Sequence, residues 1–344
     1  MDVLEHWHPV AFSNKLSDKP IGVRIAGHEI ALFRTKDGGI GAVNDVCAHR
    51  RMRLSLGSVV NDRLQCPYHG WTFDTHGAGE SPGTPKLHAK TGCYEVCERH
   101  GAVWVRTPGS ERSFPEFDVA GFEPTCTVMH MANAPLAVVL DNFTEVEHTS
   151  TVHYLLGYSL ESMSEVETRV DSTDDSVYVY NVGPQKHVFA PLTWAMGFAN
   201  GDYFVDEWTT RFSPVHTVYD QYWLMREGRK ERDDRLRIYV FFNPIDEHHT
   251  QLVTFVYTRS SRWIAKSAKW AIAPLLRYLV DLEVRRDTDM LDKLADKSPQ
   301  IEGMRLSRFD KVLGLTRARM ERIYYATREA RRDDAVAIPA ETAK

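Results

Sequence analysis

The sequence predicts an α+β protein, with an N-terminal all-β domain followed by a domain built on an antiparallel sheet with helices at its C-terminal end. Three observations carry this prediction. Short strand-like runs separated by turns occupy residues 1–110, longer runs rich in Val, Tyr and Phe occupy residues 176–257, and helical spacing of apolar residues begins at Ser261. A chain of 344 residues is long enough for two domains of ordinary size.

The individual elements follow from local patterns. Residues 21–25 and 30–34 are strand-like and flank a turn at residues 26–28, which is typical of a β-meander. Residues 237–242 and 253–257 are longer strand-like runs, and their composition fits an antiparallel sheet with one buried face.

Proline and glycine near residue 110 interrupt the strand pattern and indicate a domain boundary. We therefore expect a first domain at residues 1–114 and a second at residues 115–330. Within the second, apolar spacing predicts a helix over residues 308–327. Residues 331–344 lack periodicity and are expected to form a flexible tail.

The composition excludes several classes of protein. The formal net charge is −5, from 42 basic and 47 acidic residues, so no basic excess points to a nucleic-acid partner. The number of cysteines, five, is odd, and residues 1–8 lack the pattern of a signal peptide, so we expect reduced thiols and a cytoplasmic location.

The most apolar stretch, residues 263–280, is interrupted by Lys266, Lys269 and Arg277, so no transmembrane segment is expected. A helix touching a membrane surface and a solvated covering helix are the two alternatives for this stretch.

Two Cys–His pairs form the strongest motif in the sequence. Cys47 and His49 belong to one loop, and Cys66 and His69 belong to another. Zinc fingers usually take two cysteines from one loop and two histidines from another, whereas here each loop supplies one of each. This arrangement favours a [2Fe–2S] cluster in which the cysteines bind one iron and the histidines bind the other, which is the ligation of a Rieske centre. A Cys₂His₂ zinc site is the alternative.

The neighbouring residues fit a buried cluster. Gly70 is expected to let the backbone approach the cluster closely, and Trp71 and Phe73 are expected to cover it from water. The remaining cysteines are predicted to be packed thiols: Cys93, Cys97 and Cys126.

A second candidate metal site involves His148 and His153. On an ideal helix five residues turn by about 500°, so the two imidazoles would point roughly 140° apart and could not share a metal. Residues 149–152 are mediocre helix formers, and local widening or unwinding would bring the rings together. The alternative is that both are surface histidines on a polar helix.

Asp287 is the candidate third ligand. It falls in the middle of an apolar stripe that comprises Val280, Val284, Leu291 and Leu294. A carboxylate on a buried helix face is rare unless it is paired or binds a metal, and a structural ion pair is the alternative. Two histidines and one carboxylate form the facial triad of ferrous oxygenases, so the sequence predicts a mononuclear Fe(II) site.

With these two constellations the sequence resembles the Rieske non-haem iron oxygenases. The run CPYHGW at residues 66–71 is typical of that family, as is an acid followed by two spaced histidines and a distant aspartate. The resemblance implies Cys47, His49, Cys66 and His69 as cluster ligands and His148, His153 and Asp287 as iron ligands. It also implies an external reductase or ferredoxin, O₂ as co-substrate and a homotrimer in which electrons pass between subunits.

Glu145 occupies the position where the family usually has aspartate. In relatives this acid hydrogen-bonds an iron-ligating histidine and a Rieske histidine of the adjacent subunit. The resemblance therefore implies a bridging catalytic role for Glu145. Its extra methylene is expected either to alter the length of the bridge or to leave Glu147 or Asp141 to share the role.

The substrate is less well defined by the sequence. Residues 189–198 are apolar and are expected either to line a pocket or to pack in the core. The resemblance implies hydroxylation or oxidative demethylation of an apolar ring-containing small molecule. An arene cis-dihydroxylating dioxygenase is the first alternative, and a Rieske electron carrier or redox sensor is the second.

Overall fold

The structure is a computed structural model that describes residues 3–260 and 269–326. Its first part contains only strands and short turns of 3₁₀ helix. The strands are β1 (His8–Phe12), β2 (Ile21–Ile25), β3 (His28–Arg34), β4 (Ile40–Asn44), β5 (Ser58–Val60), β6 (Arg63–Gln65), β7 (Thr72–Phe73), β8 (Ala78–Glu80), β9 (Ala89–Lys90), β10 (Glu95–Arg99) and β11 (Ala102–Arg106).

These strands form three small antiparallel sheets. Their strand orders are β1-β11-β10, β2-β3-β4 and β5-β6-β7-β8-β9. The predicted turn at residues 26–28 is present. Ala26 and Gly27 both have positive φ, which is the backbone conformation of a tight hairpin turn. The all-β character predicted for this part is confirmed.

The second part is built on one seven-stranded antiparallel sheet. Its order is β12-β18-β17-β16-β15-β14-β13, so the last strand inserts beside the first. The strands are β12 (Glu123–Ala132), β13 (Glu167–Ser172), β14 (Ser176–Pro184), β15 (Tyr203–Phe212), β16 (Val215–Leu224), β17 (Glu231–Pro244) and β18 (Thr250–Arg259).

Four helices in the described ranges accompany this sheet. They are α1 (Leu136–Phe143), α2 (Ala190–Met196), α3 (Lys269–Asp292) and α4 (Lys311–Arg319). The C-terminal helices confirm the predicted α+β class. The helix predicted over residues 308–327 is shorter than expected, since α4 gives way to a wide π-type turn at Met320–Tyr324.

Two of the sequence-based expectations fall outside the described residues. Residues 263–268 of the amphipathic stretch and the expected tail at residues 331–344 both belong to the undescribed ranges. None of the helices that the structure does describe is sufficiently long and apolar to cross a bilayer.

An aromatic cluster joins the two parts of the chain. Trp104 on β11 packs edge-on against Phe241 at 4.9 Å between ring centroids and stacks on Phe255 at 5.8 Å. Phe117, from the strand-free connection, stacks on Tyr239 at 4.4 Å. Truncating one buried tryptophan in such a core costs about 3–5 kcal/mol. This cluster therefore stabilises the packing of the small sheets against the large one.

Candidate metal centres and cavity

The two Cys–His loops have the same backbone design. The Cys47 N–H donates to the Met52 carbonyl at 2.8 Å, and the Cys66 N–H donates to the Trp71 carbonyl at 2.7 Å. In each loop the N–H four residues after the cysteine donates back to that cysteine's carbonyl. Those donors, Arg51 and Gly70, both have positive φ. Two turns of the same shape therefore present one cysteine and one histidine each.

The cysteines lie inside and the histidines lie outside. Cys47 and Cys66 are 1% and 2% exposed and form no disulfide. His49 and His69 are exposed, with ring centroids 4.5 Å apart. Burial raises the pKa of the Cys47 thiol above its ordinary value, and proximity to Cys66 adds to this. Two sulfur donors beneath two imidazoles fit a [2Fe–2S] cluster with mixed ligation.

The surrounding residues agree in part with expectation. Trp71 stacks on the His49 ring at 4.9 Å, and Phe73 is fully buried in the same apolar cluster as the two cysteines. Gly70 has a φ of +70°, which glycine adopts without strain, and the nearest protein atom to an added Cβ would be Pro82 Cγ at 3.8 Å. Its expected role in letting the backbone approach the cluster stays a prediction.

The remaining three cysteines form no disulfide within the described part of the chain. All three are half-buried free thiols, as expected: Cys93, Cys97 and Cys126.

The second constellation begins where α1 ends. After Phe143 the chain leaves the helix, and His148 lies in a short 3₁₀ turn, Glu147–Ser150, with His153 in the loop beyond. The predicted unwinding is thus present. It brings the two histidine Nε2 atoms within 3.2 Å of each other.

Asp287 completes a triangle of donor atoms. Its Oδ1 lies 3.4 Å from His148 Nε2 and 3.3 Å from His153 Nε2. The corners of such a triangle lie about 1.9 Å from its centre, close to the roughly 2.0–2.2 Å of metal–nitrogen and metal–oxygen bonds. The donor set therefore fits one metal ion, and two histidines with one carboxylate is the set of ferrous oxygenases.

Each histidine of the triangle has its own supporting carboxylate. Glu145 Oε1 accepts a hydrogen bond from His148 Nδ1, and Glu145 Oε2 accepts one from the His148 N–H at 3.3 Å. Glu283 Oε2 lies 3.0 Å from His153 Nδ1, an ion-pair contact without hydrogen-bond alignment. Such carboxylates orient a ligating ring and leave the opposite nitrogen free for the metal.

The carboxylates around the triangle also shift the pKa values of its side chains. Burial alone would lower the pKa of His148, but contacts with Asp287 and Glu145 raise it to about 10. Burial disfavours the ionised form of Asp287. The two imidazoles favour that form more strongly, so the pKa of Asp287 is held well below its ordinary value. The carboxylates around the triangle therefore favour a cation between them, either protonated imidazoles or a divalent metal ion.

Sequence reasoning missed Glu283 and Lys186. Glu283 is four residues before Asp287 on the same face of α3, a spacing that could have revealed it. Lys186 is brought in by the tertiary fold, and its Nζ donates to the carbonyls of Thr149 at 2.5 Å and His153 at 2.8 Å. No local sequence pattern predicts such a contact.

A cavity of about 730 Å³ opens onto the triangle. One face of the large sheet supplies most of its wall, with α3 opposite. Its apolar and aromatic lining includes Phe143, Phe204, Trp208, Tyr219, Trp223, Leu236, Ile238, Val240, Val256, Val280 and Val284.

The segment at residues 189–198 contributes little to this cavity. Met196 lines it, whereas Phe198 stacks on Trp223 at 4.5 Å. Phe189 and Trp194 are 73% and 63% exposed, so the expectation that the segment lines the pocket holds for only a small part.

Comparisons with known proteins identify a Rieske domain in the first part of the chain. The model of the Rieske [2Fe-2S] domain matches residues 6–95. Over 166 residues the chain is 33% identical to chlorophyllide a oxygenase of Oryza sativa subsp. japonica, covering 46% of this chain and 30% of that protein. Over 170 residues it is 32% identical to methylxanthine N1-demethylase NdmA of Pseudomonas putida, covering 44% and 48%. The chain thus spans less than half the length of these relatives.

The fold extends the likeness over the whole chain. The crystal structure of dicamba monooxygenase bound to 3,6-dichlorosalicylic acid superposes with a TM-score of 0.79, at 18% identity, covering 94% of this chain and 98% of that one. A Rieske [2Fe–2S] domain and a mononuclear iron site of two histidines and one carboxylate are therefore combined in one fold. The chain thus contains a Rieske [2Fe-2S] domain and has the same overall fold as dicamba monooxygenase.

Proposed function

We propose that this chain uses O₂ and two electrons from an external reductase or ferredoxin to hydroxylate or oxidatively demethylate an apolar ring-containing small molecule. The observation that carries the proposal is the apolar cavity of about 730 Å³ that opens onto the His148, His153 and Asp287 triangle. A bound molecule would lie against the iron site and away from bulk water. The names of NdmA, a demethylase, and of dicamba monooxygenase support the same reaction class.

In this proposal residues 1–114 receive the electrons and residues 115–330 perform the oxidation. Cys47, His49, Cys66 and His69 would hold the cluster, and His148, His153 and Asp287 would hold Fe(II). When bound, the two groups supply stored electrons and O₂ activation.

The chain's own side chains prepare the iron site. The Glu145 carboxylate accepts the Nδ1 hydrogen bond of His148, which fixes the tautomer that leaves Nε2 as the metal donor. Glu283 places a second negative charge 3.0 Å from His153 Nδ1, without an aligned hydrogen bond. Large aromatic side chains, Trp208 and Trp223 among them, offer stacking surfaces for a ring and exclude water from it.

The same proposal includes a homotrimer in which Glu145 links neighbouring subunits. His49 and His69 are exposed, so their imidazole N–H groups are available to a partner's carboxylate. An Asp or Glu side chain can accept hydrogen bonds from two imidazoles at once. Sedimentation equilibrium would test the trimer independently of catalysis.

Metal analysis is the first test of the function. Iron, zinc and acid-labile sulfide would be measured per chain, together with visible spectra of the oxidised and reduced protein. The oxygenase requires three irons and two sulfides, whereas an electron carrier or redox sensor has two of each. Zinc without sulfide would refute both.

Turnover is the second test. Reduced protein, supplied with a surrogate ferredoxin reductase and ¹⁸O₂, would be screened against N-methyl and O-methyl ring compounds and unsubstituted arenes. One labelled oxygen in a hydroxylated product, or formaldehyde release, supports the proposal. Two labelled oxygens in a cis-diol would instead identify an arene dihydroxylating dioxygenase.

A further inference from the structure

One carboxylate in the cavity wall has no role in holding the iron site. Asp206 lies on β15, is 5% exposed and lines the cavity. Its Oδ1 accepts a hydrogen bond from Gln221 Nε2, on the facing position of β16, at 3.0 Å. Its Oδ2 has no hydrogen-bond partner among the described residues, so half of the carboxylate remains available to a ligand.

No basic side chain in the described ranges pairs with Asp206. Three arginines line the cavity: Arg232 pairs with Asp202 at 2.5 Å, Arg235 pairs with Asp220 at 3.1 Å, and the Arg259 guanidinium lies over the Phe122 ring at 5.1 Å. A buried carboxylate is costly unless it is paired, so the missing counter-charge is a feature that a ligand can supply.

The ionisation of Asp206 is compatible with a ligand that supplies a positive charge. Burial raises its pKa to about 6, against the hydrogen bond from Gln221 and the charges of His153 and His148, which lower it. The group therefore remains largely ionised at neutral pH.

The surroundings of this carboxylate are aromatic and apolar. Phe204 and Trp208 lie two residues away on the same face of β15, and Trp223 and Leu236 come from the next two strands. A ligand that satisfied Asp206 would present one polar group at the carboxylate and an apolar body to these rings.

We infer that Asp206 binds the protonated amine or N–H group of the substrate, so that this oxygenase acts on nitrogen-bearing ring compounds and rejects aromatic carboxylates. The inference rests on the proposed function, because it specifies the substrate class of the same cavity. It follows from one buried carboxylate with a free oxygen and no ion-pair partner among the described residues, set among aromatic and apolar neighbours in the cavity wall. A carboxylate ligand would bring a second negative charge against the first.

Binding, not turnover, provides the test. Four naphthalene probes of nearly equal shape differ in the group they present: 2-naphthylmethylamine, 2-naphthylmethanol, 2-methylnaphthalene and 2-naphthoate. Their dissociation constants would be measured by isothermal titration calorimetry on the iron-loaded protein. For the wild type we expect the amine to bind at least 10-fold more tightly than 2-naphthoate.

The variant Asp206→Asn keeps the shape and removes the charge. Because a hydrogen bond to a charged group is worth more than a neutral one, we expect amine binding to weaken about 10- to 100-fold, and 2-methylnaphthalene binding to change less than about 3-fold. Glu207→Gln is the matched control, since Glu207 is adjacent on β15 but lies on the other face, where it binds Tyr178. It should leave all four affinities unchanged.

The inference fails if 2-naphthoate binds as tightly as the amine to the wild type, a comparison that needs no variant. It also fails if folded Asp206→Asn, with an unchanged cluster spectrum, binds the amine like the wild type. Failure of the proposed function is separate, because it would appear as absent turnover or absent iron while the probe affinities follow the expected order.

Discussion

Glu283→Gln offers the sharpest test of how the iron site is supported. The substitution keeps the size of the side chain and an acceptor oxygen for His153 but removes the negative charge 3.0 Å from Nδ1. Loss of such a supporting carboxylate typically weakens metal binding 10- to 100-fold. Since the contact lacks hydrogen-bond alignment, we expect the lower end, about 10-fold, which corresponds to about 1.4 kcal/mol.

The assay is an anaerobic titration of protein freed of mononuclear iron, with Fe(II) or Co(II) followed by calorimetry. The cluster spectrum reports that the variant is folded. Asp289→Asn, an exposed position on the same helix, is the matched control and should bind the metal like the wild type. Glu145→Gln should weaken metal binding more than Glu283→Gln, because its carboxylate makes an aligned hydrogen bond to His148.

Two results would contradict this reasoning. If Glu283→Gln bound Fe(II) within about 2-fold of the wild type, the 3.0 Å contact would have no bearing on metal affinity. If it lost metal as completely as Asp287→Ala, Glu283 would be a direct ligand and the three-atom triangle would be incomplete.

Three further predictions concern the metal, a loop and pH. Asp287→Ala should lower the iron content from three to two per chain and abolish turnover without changing the cluster spectrum; activity in iron-depleted Asp287→Ala would overturn the assignment. Gly157→Ala should destabilise the fold by about 1–3 kcal/mol in denaturant unfolding, because φ is +105° and the added Cβ would lie 2.6 Å from Thr149 Oγ1. Burial lowers the pKa of His216 to about 4, so unfolding free energy should fall as pH drops from about 6.5 to 4, by up to about 3 kcal/mol, and by less in His216→Gln.

The Rieske loops were predictable because their chemistry is local. Both ligand pairs and the turn residues that shape them lie within six consecutive positions, Cys47–Met52 and Cys66–Trp71, so one short window contains the whole design. The α+β class and the two iron cofactors followed from such windows. The specific ligand roles of the individual residues stay predictions, which the metal titrations address.

The iron triangle was predictable from a conflict between spacing and geometry. The spacing of five residues from His148 to His153 would point the two imidazoles apart on a regular helix, and the chain indeed leaves α1 at Phe143. The apolar stripe around Asp287 was also informative, but its last member was wrong. Leu294 is 41% exposed, because α3 ends at Asp292 and the stripe ends with it.

Asp206 was overlooked although its strand contained a signal. In β15 the alternation Phe204, Asp206, Trp208 places a carboxylate between two aromatic residues on one face. What the alternation alone does not reveal is whether that face is buried, because burial depends on the helices that cover the sheet. Interior charges in strands are thus recognisable as anomalies in sequence, but their partners are set by tertiary packing.

The ligand loop after α1 shows how a segment without regular structure can still hold a metal site firmly. Glu145 Oε2 accepts the N–H groups of Glu147 and His148, so the unwound turn has a capped beginning. Lys186 binds the carbonyls of Thr149 and His153, so its end is fixed by a charged donor. Helical hydrogen bonds lost between the two histidines are thereby replaced by contacts to charged side chains. This exchange allows a five-residue spacing to bring both Nε2 atoms within 3.2 Å of each other while the backbone groups of the turn keep their hydrogen bonds.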